Sequence, residues 1–344
     1  IFHIFFISIF RFKEILVYIY TMILKNKKVA VLGGAGLIGS YLVELLVIKG
    51  YKVVVIDDFS KGKRVNLKKV EKKIDIKVVN LENYKNLHKI LKGCKIIFHL
   101  ASRAYGIGYS KNNHSKILEH NEKITNNIIA SLSKIKIDYF QCVSSSCVYD
   151  DKGPTRISEE INPVGTPEKA NLGYGQAKRL LEEKLTICSS IFKFPLSIVR
   201  PFNIYSERYN WLGGNSQAIP MIVKKVMESK KTIEIWGSGK QKRNYLHAKD
   251  CAEIMFRIFK KKYVKTPINI GYENTVSLNQ LTKMICTKAK KNPRIIYDLS
   301  KPEGRFIKSS NSKLLKKVTS NHKPKISLEK GLALMIHWYE KNFL

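Results

Sequence analysis

From residue 27 onward, short apolar runs rich in β-branched residues alternate with segments whose apolar positions follow a helical spacing. The runs show no regular alternation of apolar and polar positions, so each predicts a strand that is covered on both faces. They span 27–33, 51–58, 74–80, 95–101, 137–146 and 194–201. The helical segments between them span roughly 37–49, 84–92, 115–135 and 172–190. This order predicts an α/β fold with a doubly wound parallel sheet.

The pattern loosens after about residue 203, where loops separate shorter elements. Strands are expected at 233–236 and 267–271, and helices at 217–230, 249–260, 277–289 and 328–340. We therefore expect a smaller C-terminal α/β lobe over 203–344, with some of its segments returning to the first sheet.

The first 26 residues are apolar enough to raise the question of a membrane segment. Arg11, Lys13 and Glu14 interrupt the run 1–24 near its middle, where a spanning helix tolerates charge least. Met22 stands just before the first predicted strand. We interpret 1–26 as an N-terminal extension outside the fold, with 1–21 being upstream translation or a peripheral segment. A membrane anchor is the alternative interpretation.

The first chemical signal is the segment GGAGLIG at 33–39, between the first strand and the first helix. It satisfies GxGxxG through Gly34, Gly36 and Gly39, and GxxGxxG through Gly33, Gly36 and Gly39. Such glycines allow a tight turn, close approach of a pyrophosphate to the backbone, and close helix packing. The following helix N-terminus offers N–H groups and a positive dipole end to phosphates. The predicted contacts are Gly33, Gly36, Leu37, Ile38 and Gly39.

An acidic pair, Asp57-Asp58, closes the second strand. A carboxylate at this place accepts hydrogen bonds from the adenosine ribose hydroxyls and repels a 2′-phosphate, so NAD is favoured over NADP. The basic residues Lys61, Lys63 and Arg64 weaken that preference. Strand, glycine turn, helix and acid together predict a Rossmann-like NAD site, with Asn80 and Leu81 near the adenine.

The second chemical signal combines the serine run Ser144-Ser145-Ser146 with Tyr174 and Lys178. The Tyr and Lys lie four residues apart and therefore share one helix face. A nearby ammonium favours the phenolate, which would make Tyr174 a general base near neutral pH. A serine hydroxyl can share the proton of the substrate. The pattern predicts an acid–base site downstream of the NAD-binding turn.

Over residues 27–340 the chain resembles the extended short-chain dehydrogenase/reductases, specifically the nucleotide-sugar epimerases and dehydratases. The resemblance includes FHLA at 98–101, RPFNIY at 200–205, the segment 236–250 and NIG at 269–271. It implies an NAD-binding domain over 27–202 and a nucleotide-sugar-binding lobe mainly over 203–344. It also implies a homodimer formed through a pair of helices.

The resemblance further implies individual roles. The catalytic set is Ser145, Tyr174 and Lys178, to which Cys147 is added below. Further cofactor contacts are Asp57, Asp58, Leu100, Ala101, Ser102, Asn121, Val143, Tyr174, Lys178 and Phe202. Substrate contacts are Ser145, Ser146, Cys147, Asn203, Gln217, Lys225, Gln241, Arg243 and Arg305. Arg243 is expected on the diphosphate, where a bidentate, charge-assisted contact suits a guanidinium.

The reaction subtype depends on the residues after Ser145. Dehydratases of the family carry an Asp-Glu pair there, whereas this chain has Ser146-Cys147, so elimination of water lacks its acid and base. The segment SSSCVY is instead similar to that of GDP-mannose 3,5-epimerases, in which a cysteine exchanges protons. NNHSKI (112–117), WLGGN (211–215), QKR (241–243) and KPEG (301–304) are similar too.

Two positions depart from that subtype. Gln217 stands where its second acid–base group, a Lys, is expected, and Phe306 stands where an Arg is expected, with Arg305 and Lys308 nearby. Three enzymatic alternatives therefore stay open: a 3,5-epimerase, a 4-epimerase of UDP-glucose or UDP-glucuronate, and a reductase of a nucleotide-keto-sugar. Cys147 is either a proton-exchanging thiol or a small buried residue.

The net charge of +35, from 62 basic and 27 acidic residues, adds a non-enzymatic alternative, a family relative that binds RNA. The Lys residues are spread through every segment, and an intact Ser145, Tyr174 and Lys178 set argues against it, so no nucleic-acid or membrane partner is expected. The field would steer an anionic nucleotide-sugar. Six Cys form no CxxC pair and no zinc spacing, so no metal and a reduced, cytoplasmic protein are expected. They are Cys94, Cys142, Cys147, Cys188, Cys251 and Cys286.

Overall fold

The computed structural model describes residues 27–211, 217–301 and 304–344. The predicted N-terminal extension 1–26, most of WLGGN and two residues of KPEG lie outside the described residues. The strands are Lys28–Leu32 (β1), Lys52–Asp57 (β2), Ile74–Val78 (β3), Cys94–His99 (β4), Tyr139–Val143 (β5), Arg156–Ile157 (β6), Leu196–Pro201 (β7), Ile204–Tyr205 (β8), Thr232–Trp236 (β9), Lys242–Arg243 (β10), Leu246–His247 (β11), Ile268–Ile270 (β12), Val276–Ser277 (β13), Arg294–Asp298 (β14) and Ile307–Ser310 (β15). The helices are Gly39–Ile48 (α1), Leu87–Leu91 (α2), Ile107–Ser110 (α3), His114–Leu132 (α4), Leu172–Phe192 (α5), Ala218–Glu228 (α6), Ala248–Lys261 (α7), Leu278–Lys288 (α8), Lys313–Val318 (α9) and Leu328–Phe343 (α10).

Seven parallel strands of the described chain form the large sheet, in the order β3-β2-β1-β4-β5-β7-β12. This confirms the predicted doubly wound α/β fold. The strand order reverses at β1, which lies between β2 and β4, and such a switch point opens a crevice at the carboxyl ends of the strands. β12 comes after residue 203 yet pairs with β7, so part of the C-terminal segment returns to this sheet as expected. The domain boundary at 202 stays a prediction.

The inner strands of the large sheet are apolar because both of their faces are covered. At the edge, β3 packs Ile74 and Ile76 against one core and exposes Asp75, Lys77 and Val78, so the prediction of two-sided burial was wrong for this strand. In β1, Val29 and Val31 pack into one core with α1, α7 and α9, whereas Ala30 and Leu32 pack into the opposite core with α2, α4 and α5. All four side chains are fully buried. The unbroken apolar runs of the sequence are the direct consequence of this two-sided burial.

The C-terminal lobe has its own core between α6, α8, α10 and β9. Trp211 stacks on Trp338 there, with ring centroids 5.5 Å apart. Beside this core lies a four-stranded mixed sheet in the order β13-β10-β15-β6, in which β10 pairs with β15 and β15 with β6 in parallel. This small sheet connects the C-terminal lobe to the loop that follows β5, because β6 belongs to that loop.

Candidate active site

The glycine turn after β1 is shaped by two positions that have no room for a side chain. Gly33 has φ +79°, and a Cβ on it would lie 2.6 Å from the amide nitrogen of Ala101. A Cβ on Gly39 would lie 2.2 Å from the carbonyl oxygen of Gly33. The turn and α1 can approach each other this closely only because both residues are glycine.

The structure distinguishes between the two glycine spacings. Gly33 and Gly36 line a cavity, whereas a Cβ on Gly34 would point at the Val55 side chain, 2.9 Å away. A Cβ on Gly36 would meet only the turn itself, at 3.3 Å. The spacing GxxGxxG, through Gly33, Gly36 and Gly39, is therefore the one that shapes the cavity.

The cavity is open to solvent and lies at the carboxyl ends of β1, β2 and β4. Its lining contains most of the predicted cofactor residues: Gly33, Gly36, Asp57, Asp58, Asn80, Leu81, Leu100, Ala101 and Ser102. Leu37 and Ile38 pack against the core next to it, at the start of α1. A backbone cradle without side chains, joined to a buried acid, fits the pyrophosphate and ribose of a dinucleotide.

Asp57 is held from both sides by the backbone. It is 8% exposed, and its carboxylate accepts hydrogen bonds from the N–H groups of Ala35 and Phe59, both at 2.9 Å. Burial raises the pKa of this carboxyl, and the two N–H groups oppose the rise. One of these bonds comes from the glycine turn, so the acid and the phosphate cradle are fixed to each other.

Arg103 is a residue of this cavity that sequence reasoning missed. Its guanidinium forms ion pairs with Asp58 at 2.7 Å and with Glu82 at 2.5 Å. Its backbone N–H donates to the Asn121 side chain at 2.9 Å, so Asn121, predicted as a cofactor contact, holds the cavity wall. No motif marks Arg103, since its partners come from two other loops.

Lys61 lies in the same wall. Its Nζ is 3.7 Å from the centre of the Tyr105 ring. Burial, together with the positive charge of Arg103, lowers the pKa of Lys61 to about 7. Lys61 is one of the basic residues that weaken the predicted preference for NAD over NADP. Its lowered pKa means that it is only partly charged near pH 7.

Lys178 reaches back from α5 to the end of β5. It is 3% exposed, and its ammonium donates to the Val143 carbonyl at 2.8 Å. Burial lowers its pKa to about 8. The Nζ lies 5.6 Å from the centre of the Tyr174 ring. The Tyr and Lys therefore share one face of α5, as the spacing predicted.

The protonation of Tyr174 differs from the sequence-based expectation. Burial raises the pKa of its hydroxyl, and a hydrogen bond with Ser102 opposes the rise only in part. The Lys178 ammonium is directed to the Val143 carbonyl, and burial of the phenol is the larger effect. Tyr174 is therefore neutral at pH 7 in this arrangement.

Two glycines allow the start of α5 to pack closely against the backbone of His114 and Cys147. A Cβ on Gly173 would lie 2.0 Å from the His114 carbonyl, and one on Gly175 would lie 2.5 Å from the Cys147 carbonyl. Tyr174, between them, is thereby brought to the loop after β5. The order Gly-Tyr-Gly is a local signal for this contact that the sequence analysis did not use.

The loop after β5 begins with a 3-10 turn, Ser146–Val148. The Ser145 hydroxyl caps it by accepting a hydrogen bond from the Cys147 N–H at 3.1 Å. Ser146 is buried at 4% exposure. Phe202, predicted as a cofactor contact, is fully buried and packs near the Tyr149 ring behind this turn.

Cys147 has two charged neighbours that sequence reasoning did not assign to the site. The Lys308 ammonium lies 4.0 Å from its Sγ and 2.6 Å from the Glu168 carboxylate. Burial raises the pKa of the Cys147 thiol to about 11, although Lys308 counteracts this. The pKa of Glu168 is lowered, because the charge and hydrogen bond of Lys308 outweigh burial.

Three predicted substrate residues lie on or near β10. Arg243 belongs to β10, and Gln241, which precedes it, is 9% exposed with an Oε1 atom that has no hydrogen-bond partner among the described residues. Asn203 has φ +43° and donates from its side chain to Asn244 at 3.2 Å. A buried amide oxygen without a partner is suited to a donor from a ligand.

Three other predicted substrate residues are engaged elsewhere. The Tyr209 hydroxyl donates to the exposed Gln217 side chain, and Lys225 donates to the Glu234 carbonyl at 2.7 Å. The Arg305 guanidinium donates to carbonyls of the loop 150–154, the shortest bond being 2.6 Å. The geometry thus gives each a structural partner, and their contact with substrate stays a prediction.

The NAD-dependent epimerase/dehydratase family matches residues 29–271 of this chain. The chain belongs to this family. NAD is accordingly its cofactor, which confirms the prediction made from the glycine turn and Asp57.

Curated relatives span nearly the whole chain. GDP-mannose 3,5-epimerase of Arabidopsis thaliana is 27% identical over 92% of this chain and 83% of that enzyme. UDP-N-acetyl-alpha-D-glucosaminuronate decarboxylase of Bacillus cytotoxicus is 28% identical over 92% of this chain and 98% of that enzyme. The family is thus shared by relatives with different sugars and different reactions.

Solved structures support the fold. UDP-glucuronic acid 4-epimerase from Bacillus cereus, solved with UDP-glucuronic acid and NAD, superimposes with a TM-score of 0.80. It is 22% identical and covers 92% of this chain and 100% of its own. Within the described ranges of this chain, no helix is long and apolar enough to cross a membrane. The same ranges contain no cluster of His, Cys, Asp and Glu suited to a metal ion.

Proposed function

We propose that the protein is an NAD-dependent nucleotide-sugar epimerase that acts through a transient 4-keto sugar and resembles GDP-mannose 3,5-epimerase in its use of Cys147. The observation that carries the proposal is the convergence of three groups at the end of β5. The Ser145 hydroxyl caps the turn that holds Cys147, and α5 brings Tyr174 against the same turn. The family and the Arabidopsis relative agree with this assignment.

NAD, which the glycine turn and Asp57 would hold, would supply the hydride acceptor and donor for C4 of the sugar. Ser145 and Tyr174 hold the hydroxyl at C4, Tyr174 accepts its proton in the phenolate form, and the buried Lys178 orients this end of α5 through the Val143 carbonyl. The C4 ketone makes hydrogens on the neighbouring carbons acidic. Cys147 is the group that exchanges a proton there.

The nucleotide-sugar occupies the side of the site formed by the C-terminal lobe. Arg243 binds the diphosphate, and the free Oε1 of Gln241 accepts a hydrogen bond from the substrate. Asn203, at the junction of the two lobes, adds a polar contact. This division assigns the NAD to 27–202 and the sugar mainly to 203–344.

The experiment incubates purified protein separately with GDP-mannose, UDP-glucose and UDP-glucuronate in D2O, without added NADH. We expect conversion of one of them, with deuterium at C3 or C5 for GDP-mannose or inversion at C4 alone for a UDP-sugar. Stoichiometric consumption of NADH or NADPH would instead identify a keto-sugar reductase. Three inert substrates on protein that demonstrably binds NAD would refute the epimerase for these sugars.

Cys147→Ser separates the subtypes. We expect loss of deuterium incorporation with C4 oxidation retained. Cys286→Ser is the matched control, since Cys286 is also only partly buried but lies on α8 in the core of the C-terminal lobe. An unchanged exchange rate in Cys147→Ser would mean that Cys147 contributes packing and transfers no proton.

We also propose that two copies associate through α4 and α5. These helices pack on each other along the sheet, and the far end of α5 exposes Ile187 by 53% and Ile191 by 63%. Exposed aliphatic side chains on one helix face favour burial against a second copy. The proposals that this protein is cytoplasmic and binds no nucleic acid rest on the sequence.

A further inference from the structure

Beside Cys147 lies an ion pair that the NAD-dependent chemistry at C4 does not use. The Lys308 and Glu168 side chains are 4% and 7% exposed, with 2.6 Å between Nζ and the carboxylate. The same Nζ donates to the Cys147 Sγ at 4.0 Å. The Lys308 ammonium, which is an acid, therefore contacts both the Glu168 carboxylate, which is a base, and the Cys147 thiol.

The backbone fixes this arrangement from two directions. The Glu168 N–H donates to the Cys147 carbonyl at 3.4 Å, so the carboxylate and the thiol belong to one loop contact. Lys308 lies on β15, directly opposite Arg243 on β10 in the parallel pairing. The strand pairing therefore places Lys308, beside the thiol, next to the residue proposed to bind the diphosphate.

Fold stability alone gives little reason for this pair. Burying two charges costs free energy that their attraction often does not recover, and apolar replacements are frequently neutral or stabilising. The pair also lies at a reacting side chain rather than within an apolar core. Gln217, where a second acid–base group was expected, accepts a hydrogen bond from Tyr209 and cannot itself transfer protons.

We propose that Lys308 and Glu168 are the proton-transfer partners of Cys147, and that they replace the acid–base group missing at Gln217. The inference rests on the proposed proton exchange by Cys147. The Lys308 ammonium passes a proton to the Glu168 carboxylate, and the resulting amine takes the proton of the Cys147 thiol. The products are a carboxylic acid, an ammonium and a thiolate.

The thiolate then accepts the hydrogen on a carbon next to the C4 ketone, which leaves an enolate and a neutral thiol. The net change is transfer of one proton from the sugar carbon to Glu168, and the reverse sequence returns it. No oxidant or further reactant is required. The charged or titratable groups that act on the thiol are Lys308 and Glu168; Arg243 acts on Glu168, and Tyr174 adjoins the thiol.

The first test measures alkylation of Cys147 by iodoacetamide against pH, read on its peptide by mass spectrometry. Lys308→Met removes the cation that stabilises the thiolate, so labelling at pH 8 should slow by on the order of tenfold, as for one pKa unit. Glu168→Gln removes the opposing anion and should accelerate labelling. The double variant, which leaves no unpaired buried charge, should fall between them.

The opposite signs distinguish proton coupling from a structural role. Loss of packing would expose Cys147 and accelerate labelling in both single variants. Lys316→Met is the matched control, because Lys316 lies on α9, outside the site, and its substitution breaks an ion pair with Glu273. Changes of the same sign, or rates within twofold of wild type in both variants, would overturn the proposal.

The second test measures deuterium incorporation into the substrate that the wild-type protein converts. Lys308→Met should lower the rate by at least tenfold while C4 oxidation, read as transient NADH absorbance, continues. Wild-type exchange rates in Lys308→Met would overturn the relay. If wild-type protein exchanges no hydrogen, the proposed function has failed, and the alkylation result alone decides whether the three groups are coupled.

Discussion

Replacement of Glu207 by Gln tests whether a partly buried carboxylate fastens α1 to the C-terminal lobe. The Glu207 carboxylate accepts a hydrogen bond from the hydroxyl of Tyr41, on α1, and contacts His247 Nε2 at 3.2 Å. Its backbone carbonyl accepts a hydrogen bond from the Trp211 indole at 2.9 Å. Glu207 thereby connects α1, the end of β11 and the core of the C-terminal lobe.

The magnitude follows from proton linkage. Burial would raise the pKa of Glu207, but the hydrogen bonds from His247 and Tyr41 outweigh it and lower the pKa to about 2 from the ordinary 4.5. A carboxyl whose pKa is depressed on folding stabilises the protein above its unfolded pKa, and this contribution is lost as the pH falls. At about 1.4 kcal/mol per unit, the ionised Glu207 contributes about 3 kcal/mol at pH 7. About 2 kcal/mol of this should be gone at pH 3.

The assay is urea unfolding of wild type and Glu207→Gln at several pH values between 7 and 3. We expect the difference in free energy of unfolding to be largest at pH 7 and to shrink below pH 4.5. Glu183→Gln, at an exposed position of α5, is the control and should change stability little at any pH. A difference independent of pH would refute the reasoning, because it would mean that shape, not charge, is what Glu207 supplies.

Three further outcomes are expected. Gly36→Ala should weaken NAD binding by at least about tenfold in calorimetry with little change in Tm, since its Cβ enters the cavity. Gly39→Ala should instead lower the Tm, because its Cβ would meet the turn at 2.2 Å; equal Tm values would contradict this division. Tyr174→Phe should slow C4 oxidation by about a hundredfold or more with NAD still bound. Because Tyr174 is neutral at pH 7, the fraction of the phenolate that acts as the base grows with pH, so the wild-type rate should rise from pH 7 to 9. A flat profile would contradict this assignment. Ile187→Glu with Ile191→Glu should convert dimers to monomers in light scattering, and a persistent dimer would place the interface elsewhere.

Most of the large sheet was predictable because its inner strands lie between two apolar cores. Two-sided burial demands unbroken apolar runs, and these are visible without knowledge of the fold. The strands of the small mixed sheet were missed for the opposite reason. β6, β10 and β13 have two residues each, and their burial is partial, so they leave no apolar pattern.

The cofactor side of the site was predictable because short-range chemistry forms it. The glycine turn and Asp57 lie within 25 residues and are joined by one hydrogen bond to Ala35. Lys178 and Tyr174 follow helix geometry. The phenolate expectation failed because a single sequence reveals charge spacing but not burial, and burial dominates the pKa of Tyr174.

The substrate side was less visible because its charged residues are paired across long distances in sequence. Glu168 and Lys308 are separated by 140 positions, and each alone resembles any other charged residue of a chain with 62 basic side chains. Only the pairing of β15 with β10 places Lys308 beside the Cys147 loop and Arg243 next to it. In the proposed relay, Lys308 on β15 takes the role of the acid–base group that Gln217, just before α6, cannot supply. If Cys147 exchanges protons as proposed, the rate of deuterium incorporation should therefore respond more strongly to Lys308→Met than to Gln217→Lys.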